Sequence, residues 1–355
     1  MKKIDAILLF TVVFLTLFGL LMIFDASSFI SFRDFGNKYH FIREQSMWVI
    51  IGFTALLGFS FFDYQKLYNL SLPLLIIAIL LLIAVFIPGL GVYTMGAKRW
   101  INLGISVLQP AEFVKLTLAI YLSAWFSNKE KGRFLAFSLI LGLVMFLIIL
   151  EPDMGTAFII FAEAVVIYFL SGASMFYFLF IVPIASLGGL LLIMLEPYRA
   201  QRLLTFINPN QSVLTSSYHV KQILISLGMG GLTGVGLGNS LQKYAYLPEN
   251  TTDSIFAIIA EELGFIGATL LIVLFMVVVW RGFIIAANAK DTFGKLLAGG
   301  ITSFLATQMI INLGSQTALF PLTGVPLPFI SYGGSSLVVD LCAVGILLNI
   351  SKRKV

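Results

Sequence analysis

The residues with most chemistry to offer gather where a polar loop turns into an apolar helix. That stretch is Leu247 to Gly267, LPENTTDSIFAIIAEELGFIG. Asp253 sits at the junction, just after Thr251 and Thr252, whose side chains suit a helix N-terminus. A carboxylate there gains from the helix dipole and is expected to stay ionised. Glu261 and Glu262 lie within the apolar run, where charges are expensive and mark function. On a helix, Glu261 falls roughly 80° around from Asp253 and Glu262 roughly 180°, and both lie roughly 12 Å or more deeper. The three carboxylates are therefore not a close dyad. Asp253 stands alone at the water edge, which suits a single general base. Capping the helix is the other, commoner use of such a residue.

Further ionisable groups sit at other loop–helix junctions. In QPAEFVKL, Pro110 suits a first helical turn, and Glu112 and Lys115 are spaced i,i+3 so that they face each other. They read either as a buried ion pair that fixes packing or as the charged wall of a water-filled cavity. Asp153 in EPDMG lies at a helix break between Pro152 and Gly155, as a cap for the next helix or as a third member of that wall. Lys98 and Arg99, beside Trp100, form either an interfacial anchor or a clamp for a pyrophosphate. GVGLG follows no strand, so it is not a dinucleotide site. Its glycines are expected to let a half-helix and its return pack closely at membrane depth. His40 and His219 are too isolated to argue a metal centre.

These groups must be positioned by membrane helices. The chain has 355 residues, of which 59% are hydrophobic and 11% charged, against roughly 25% charged in soluble domains. About ten apolar runs are long enough to cross a bilayer, near residues 5–24, 46–62, 67–87, 111–126, 134–150, 156–170, 175–195, 254–280, 296–313 and 337–350. The predicted fold is all-α and polytopic, a single membrane domain of about ten transmembrane helices with long extracytoplasmic loops. The loop between the seventh and eighth helices is expected to be partly re-entrant. The one cysteine, Cys342, permits no intramolecular disulfide. The net charge of +5 is modest and gives no reason to expect nucleic acid.

With the N-terminus inside, the inner segments carry twelve of the 22 Lys and Arg and the outer ones nine. That bias is weak, but the short inner turns and the tail follow the positive-inside rule. Both termini are then cytoplasmic. The outer loops are long and rich in Gly and Pro, and they hold most polar side chains, so the work is expected at the outer leaflet. Cations kept there suit an anionic ligand, or contact with anionic headgroups.

GAKRWINLG, QPAEFVKL, EPDMGTA, the stretch from YRAQRLLTFINP to YHVKQILISLGMGGLTGVGLGNSLQKYAYLPE, TDSIFAIIAEELGFIGA and TGVPLPFISYGGSSL occur in this order over nearly the whole chain. Together they resemble the SEDS family of shape, elongation, division and sporulation proteins. LPFISYGGSSL and AVGILLNISK lean towards its division branch. The resemblance implies a multi-pass protein of the bacterial cytoplasmic membrane that polymerises lipid II into peptidoglycan strands on the outer face. It implies work with a class B penicillin-binding protein, the transpeptidase, and with other membrane proteins of the divisome or elongasome. The family's catalytic aspartate falls on Asp253, its cavity pair on Glu112 and Lys115, and its Glu-Pro-Asp aspartate on Asp153. Its loop cation falls on Arg99 and its later lysine on Lys243. Two departures stand out: Asn250-Thr251 replaces Ala-His before the aspartate, and Ser254 replaces Phe after it. A histidine beside the base is therefore not expected.

The implied chemistry is attack of a sugar 4-hydroxyl on an anomeric carbon that carries a polyprenyl pyrophosphate. Asp253 would be the base. Arg99, Lys115, Lys243 and Lys98 would stabilise the leaving pyrophosphate. A divalent cation, Mg or Mn, could assist, but no ligand cluster in the sequence demands one. A lipid II flippase is the alternative. It needs polar groups at both leaflets, whereas here they gather at the outer one.

Overall fold

The computed structural model describes residues 4–94, 97–102, 104, 107–128, 133–207 and 215–352. Lys2, Lys3, Lys129, Lys131, Arg353 and Lys354, six of the inner basic residues, lie outside them.

Each of the ten apolar runs is a helix, because a chain in lipid must satisfy its backbone internally. They are α1 (Ala6–Phe35), α2 (His40–Phe61), α3 (Tyr64–Ala84), α4 (Pro110–Phe126), α5 (Phe134–Leu150), α6 (Met154–Leu170), α7 (Met175–Leu195), α10 (Ile255–Ala287), α11 (Thr292–Gln316) and α12 (Gly334–Ser351). Seven of them are long and apolar enough to cross a membrane, among the described residues. The remaining three, α4, α5 and α6, have 17 residues each.

Side-chain oxygens mark several starts. Asp5 accepts from the Leu8 amide, Asp63 from Gln65, Asp153 from Thr156 and Asp291 from Gly294, as N-caps do. The core lies between α4, α6, α11 and α12, whose inward faces hold Leu118, Ile160, Phe304 and Leu341, all buried. By contrast α7 buries only Ile181 and turns the rest of its apolar surface outward. The helix ends on the side of the N-terminus are tied together by Arg281 on Asp5 (2.5–3.1 Å), Asn349 on the Ser60 carbonyl and Tyr64 on Asp291.

Two of the long loops carry structure that the apolar pattern does not announce. The Gly-rich loop after α3 forms an antiparallel sheet, β1 (Gly91–Thr94), β2 (Ala97–Asn102) and β3 (Val107–Leu108), in that order. Gly91 pairs with Ile101, and Ile101 with Leu108. The all-α expectation therefore holds for the membrane body and is supplemented by this small sheet.

The loop after α7 holds α8 (Pro197–Ile207) and α9 (Thr215–Gly230). The chain that leaves α9 runs along α10: Val235 and Gly236 amides donate to the Glu261 and Glu262 carbonyls, and Phe265 and Ile266 amides donate to Gly231 and Leu232. A Cβ on Gly230 would meet the Ala260 carbonyl at 2.1 Å, and one on Gly234 the Glu262 carbonyl at 2.0 Å. These glycines are required by that backbone-to-backbone approach. Gly264, at φ 66°, kinks α10 there, roughly 13 Å below its first residue at 1.5 Å per residue.

Candidate active site

Asp253 is the first of the candidate residues to place. It stands one residue before the N-cap of α10, which is Ser254. The carboxylate therefore does not take the capping position. The turn that carries it is held one residue at a time. The Thr251 carbonyl accepts from the Tyr332 amide at 2.9 Å, Thr252 from Ser331 Oγ at 2.5 Å and Asp253 from Asn312 Nδ2 at 2.9 Å. Asp253 is half-buried, and its Oδ2 lies 3.3 Å from where a Cβ on Gly324 would stand.

Loss of hydration, then the Glu249 charge, push the Asp253 carboxyl up to about 7, with Asp153 acting the same way more weakly; Arg202 and Arg99 pull it down. The expectation that the helix dipole keeps this group firmly ionised is thus corrected: desolvation outweighs it. A carboxyl near 7 has the balance a general base needs, since it is deprotonated often enough to act and basic enough to take a proton.

Arg99 reaches the site from β2. Its Nε and Nη2 donate to the carbonyls of Glu151 and Pro152 at 3.0 and 2.6 Å, so the sheet is pinned to the turn between α5 and α6. Lys98 is half-buried on the same strand, beside a register irregularity that pairs Val92 with Trp100 and Tyr93 with Lys98 and leaves Arg99 without a cross-strand partner. In the same turn Asp153 caps α6. Its Oδ1 accepts from the Thr156 amide, and its Oδ2 from Thr156 Oγ1 at 2.8 Å and Gln109 Nε2 at 3.1 Å. Glu151 is fully buried. Desolvation, then Asp153, push it up to about 8 against the pull of Arg99. Asp253, Arg99 and Asp153 are therefore brought together, and Arg202, Glu249 and Glu151 join them.

The other predicted residues lie elsewhere. Glu112 and Lys115 do face each other, at 2.7 Å. They are 2% and 0% exposed, packed within the helix core and not on an open cavity wall. Lys115 also donates to Gln308 Oε1 at 2.7 Å, and Glu163 and Asp340 act on its charge from α6 and α12. Gln308 donates onward to the Pro326 carbonyl, and Asn312, one turn away on α11, donates to Val325 as well as to Asp253. The buried pair thus reaches Asp253 through two amide side chains and one loop.

Lys243, expected among the outer cations, is committed to Asp25 at 2.8 Å and Glu262 at 3.0 Å. Glu261 accepts from Ser240 Oγ and the Leu241 amide. The paired glutamates of α10 therefore hold the glycine loop in place. No group of three or more His, Cys, Asp or Glu that could hold a metal occurs among the described residues.

Sequence reasoning passed over Arg202, Glu249, Glu151, Gln308 and Asn312, and set His219 aside as too isolated for a metal centre. Gln308 and Asn312 carried a legible signal, two amides at i,i+4 in an apolar run. His219 carried none: it reaches Ser254 across 35 residues, at 2.7 Å.

Relatives match the chain over nearly its whole length. The chain is 41% identical to stage V sporulation protein E of Bacillus subtilis, over 98% of this chain and 97% of that one. It is 39% identical to a probable peptidoglycan glycosyltransferase FtsW of Trichlorobacter lovleyi, over 98% and 93%. Among solved structures it is similar to a chain of a peptidoglycan synthase complex described as coordinating polymerization and crosslinking, at TM-score 0.82, 26% identity, and coverage of 99% and 98%. It is also similar to the rod shape determining protein RodA of Thermus thermophilus, at TM-score 0.74, 25% identity, and coverage of 99% and 98%. A family model described as FTSW_RODA_SPOVE, cell cycle protein, matches residues 5–355, and the chain belongs to that family of integral membrane proteins.

Proposed function

We propose that the chain is a peptidoglycan glycosyltransferase that polymerises lipid II at the outer face of the bacterial cytoplasmic membrane. The observation that carries this reading is Asp253, a carboxyl poised at about 7 in a turn held by Asn312, Ser331 and Tyr332. The names of its relatives support the chemistry. Ten membrane crossings with both termini cytoplasmic, and a re-entrant course for the chain after α9, fit the helix order and the charge bias.

In this reaction the 4-hydroxyl oxygen of one sugar bonds to the anomeric carbon of another. The bond from that carbon to the pyrophosphate oxygen breaks, and the hydroxyl proton passes to Asp253. The polyprenyl pyrophosphate leaves with the electron pair, and attack from the opposite face inverts the anomeric centre. Arg99 and Arg202 stabilise the developing charge, with Lys98 on the same strand as Arg99. Asp153 holds the α6 start and Gln109 in register. Lys115 and Glu112 act from beneath through Gln308, and Lys243 acts by fixing the glycine loop. A class B penicillin-binding protein that crosslinks the new strands is the natural partner, in line with the synthase complex that this fold resembles.

The full chain purified in detergent and given lipid II tests this reading. Glycan strands are expected. Transfer of lipid II across a vesicle without strand formation would establish the flippase instead.

A further inference from the structure

We infer that His219 is a positioning residue for the Asp253 base, acting through Ser254; this rests on the reading of Asp253 as the base. Ser254 occupies the N-cap of α10, where a serine hydroxyl ordinarily accepts from an amide of the first turn. Here it makes no such bond. The hydroxyl meets His219 Nε2 instead, at 2.7 Å, and Ser254 is fully buried. A residue suited to capping has been turned away from its own helix and towards α9.

The four consecutive residues of the base turn are each held by a different group. Thr251, Thr252 and Asp253 are held by their carbonyls from the Tyr332 amide, Ser331 and Asn312. These three holders belong to α11 and the loop before α12. His219 alone of the four comes from the long outer loop, which also supplies Arg202, and the Arg202 charge acts on both His219 and Asp253. His219 therefore joins the element that carries an outer cation to the turn that carries the base. Burial, then Arg202, hold the ring down at about 4. It is neutral at working pH and bonds Ser254 as a neutral donor or acceptor. A charge-neutral tether of this kind sets where the carboxylate stands without competing for the proton.

The tether should act on turnover and not on substrate capture. Misplacing a reacting group by about 1 Å lowers rate by up to roughly 100-fold. His219→Leu should lower kcat roughly 10- to 100-fold, with KM within about twofold and the unfolding midpoint lowered only as far as the unpaired buried Ser254 hydroxyl requires. His219→Gln, which keeps a polar terminus, should recover to within about threefold of wild type. Ser254→Ala, a one-atom change, should match His219→Leu and keeps the test decisive if the leucine variant unfolds. The double variant should be no slower than either single one, because both remove one link.

The measurement is strand synthesis from lipid II by the full chain, with Asp253→Asn run alongside. Multiplying losses in the double variant, or single variants within about twofold of wild type while Asp253→Asn is inactive, would overturn the tether and leave the base intact. Normal turnover by Asp253→Asn would remove the base itself and the tether with it.

Discussion

Replacing Lys115 by methionine takes one charge out of a closed site and keeps most of the stem. Lys115 Nζ lies 2.7 Å from Glu112, and the two residues are 0% and 2% exposed. At that distance and an effective dielectric of about 20, the attraction is about 6 kcal/mol. Desolvation offsets part of it, and stranding one partner of such a pair costs roughly 3–5 kcal/mol. The loss should fall within that range, because Gln308 is the other group that Lys115 bonds.

The same reasoning gives an asymmetry. Glu112→Gln leaves Lys115 with Gln308 and a neutral amide in place of the carboxylate, so it should cost less than Lys115→Met, under about 2 kcal/mol. Glu112→Leu combined with Lys115→Met removes both charges and should recover most of the loss, since apolar replacement of a buried pair is often neutral. Unfolding free energies of the four proteins, from denaturing-detergent titration, provide the measurement. Lys115→Met as stable as wild type, or Glu112→Gln costing as much as Lys115→Met, would refute the reasoning.

Three further expectations follow from the site and the topology. Glu151 keeps a proton in the native state up to about pH 8 that the unfolded chain loses near 4.5. Stability should therefore fall as pH rises across that window, and Glu151→Gln should flatten the fall, by roughly 4–5 kcal/mol at most; melting curves of both proteins from pH 5 to 9 test this. Gly324→Ala places a methyl 3.3 Å from Asp253 Oδ2 at a φ of +76° and should lower kcat by roughly tenfold or more, read in steady-state strand synthesis. In a Cys342→Ser background, a cysteine replacing the exposed Tyr246 should react with an impermeant maleimide added outside intact cells, and one replacing the exposed Asn288 should not; the reverse pattern would invert the topology.

The membrane body was legible because the free energy of burying apolar side chains in lipid exceeds every local preference. A run such as 134–150 admits one structure only. The loop elements were not legible for the opposite reason. Gly91–Leu108 and the α8–α9 stretch have neither long apolar runs nor a clean period, so their form is decided by what they touch. Asp253 was found by its place at a junction, and Glu112 with Lys115 by their spacing.

What the spacing could not reveal was environment. It assigned Asp253 a helix dipole, whereas burial and Glu249 set its proton affinity. It left Lys243 among the outer cations, whereas Asp25, 218 residues away, holds it. His219 was dismissed for its isolation in sequence, and only the folding of α9 against α10 brings it to Ser254.

The most direct test is Asp253→Asn, measured as strand synthesis from lipid II across pH. Wild-type kcat should rise through an acid limb near pH 7, where the carboxyl loses its proton. Asn matches Asp in size but accepts no proton. Turnover should fall by roughly 100-fold or more at every pH, with the acid limb gone and the fold at least as stable, since a desolvated carboxylate has been removed. An Asp253→Asn protein that makes strands within about threefold of the wild-type rate would contradict the assignment of Asp253 as the base.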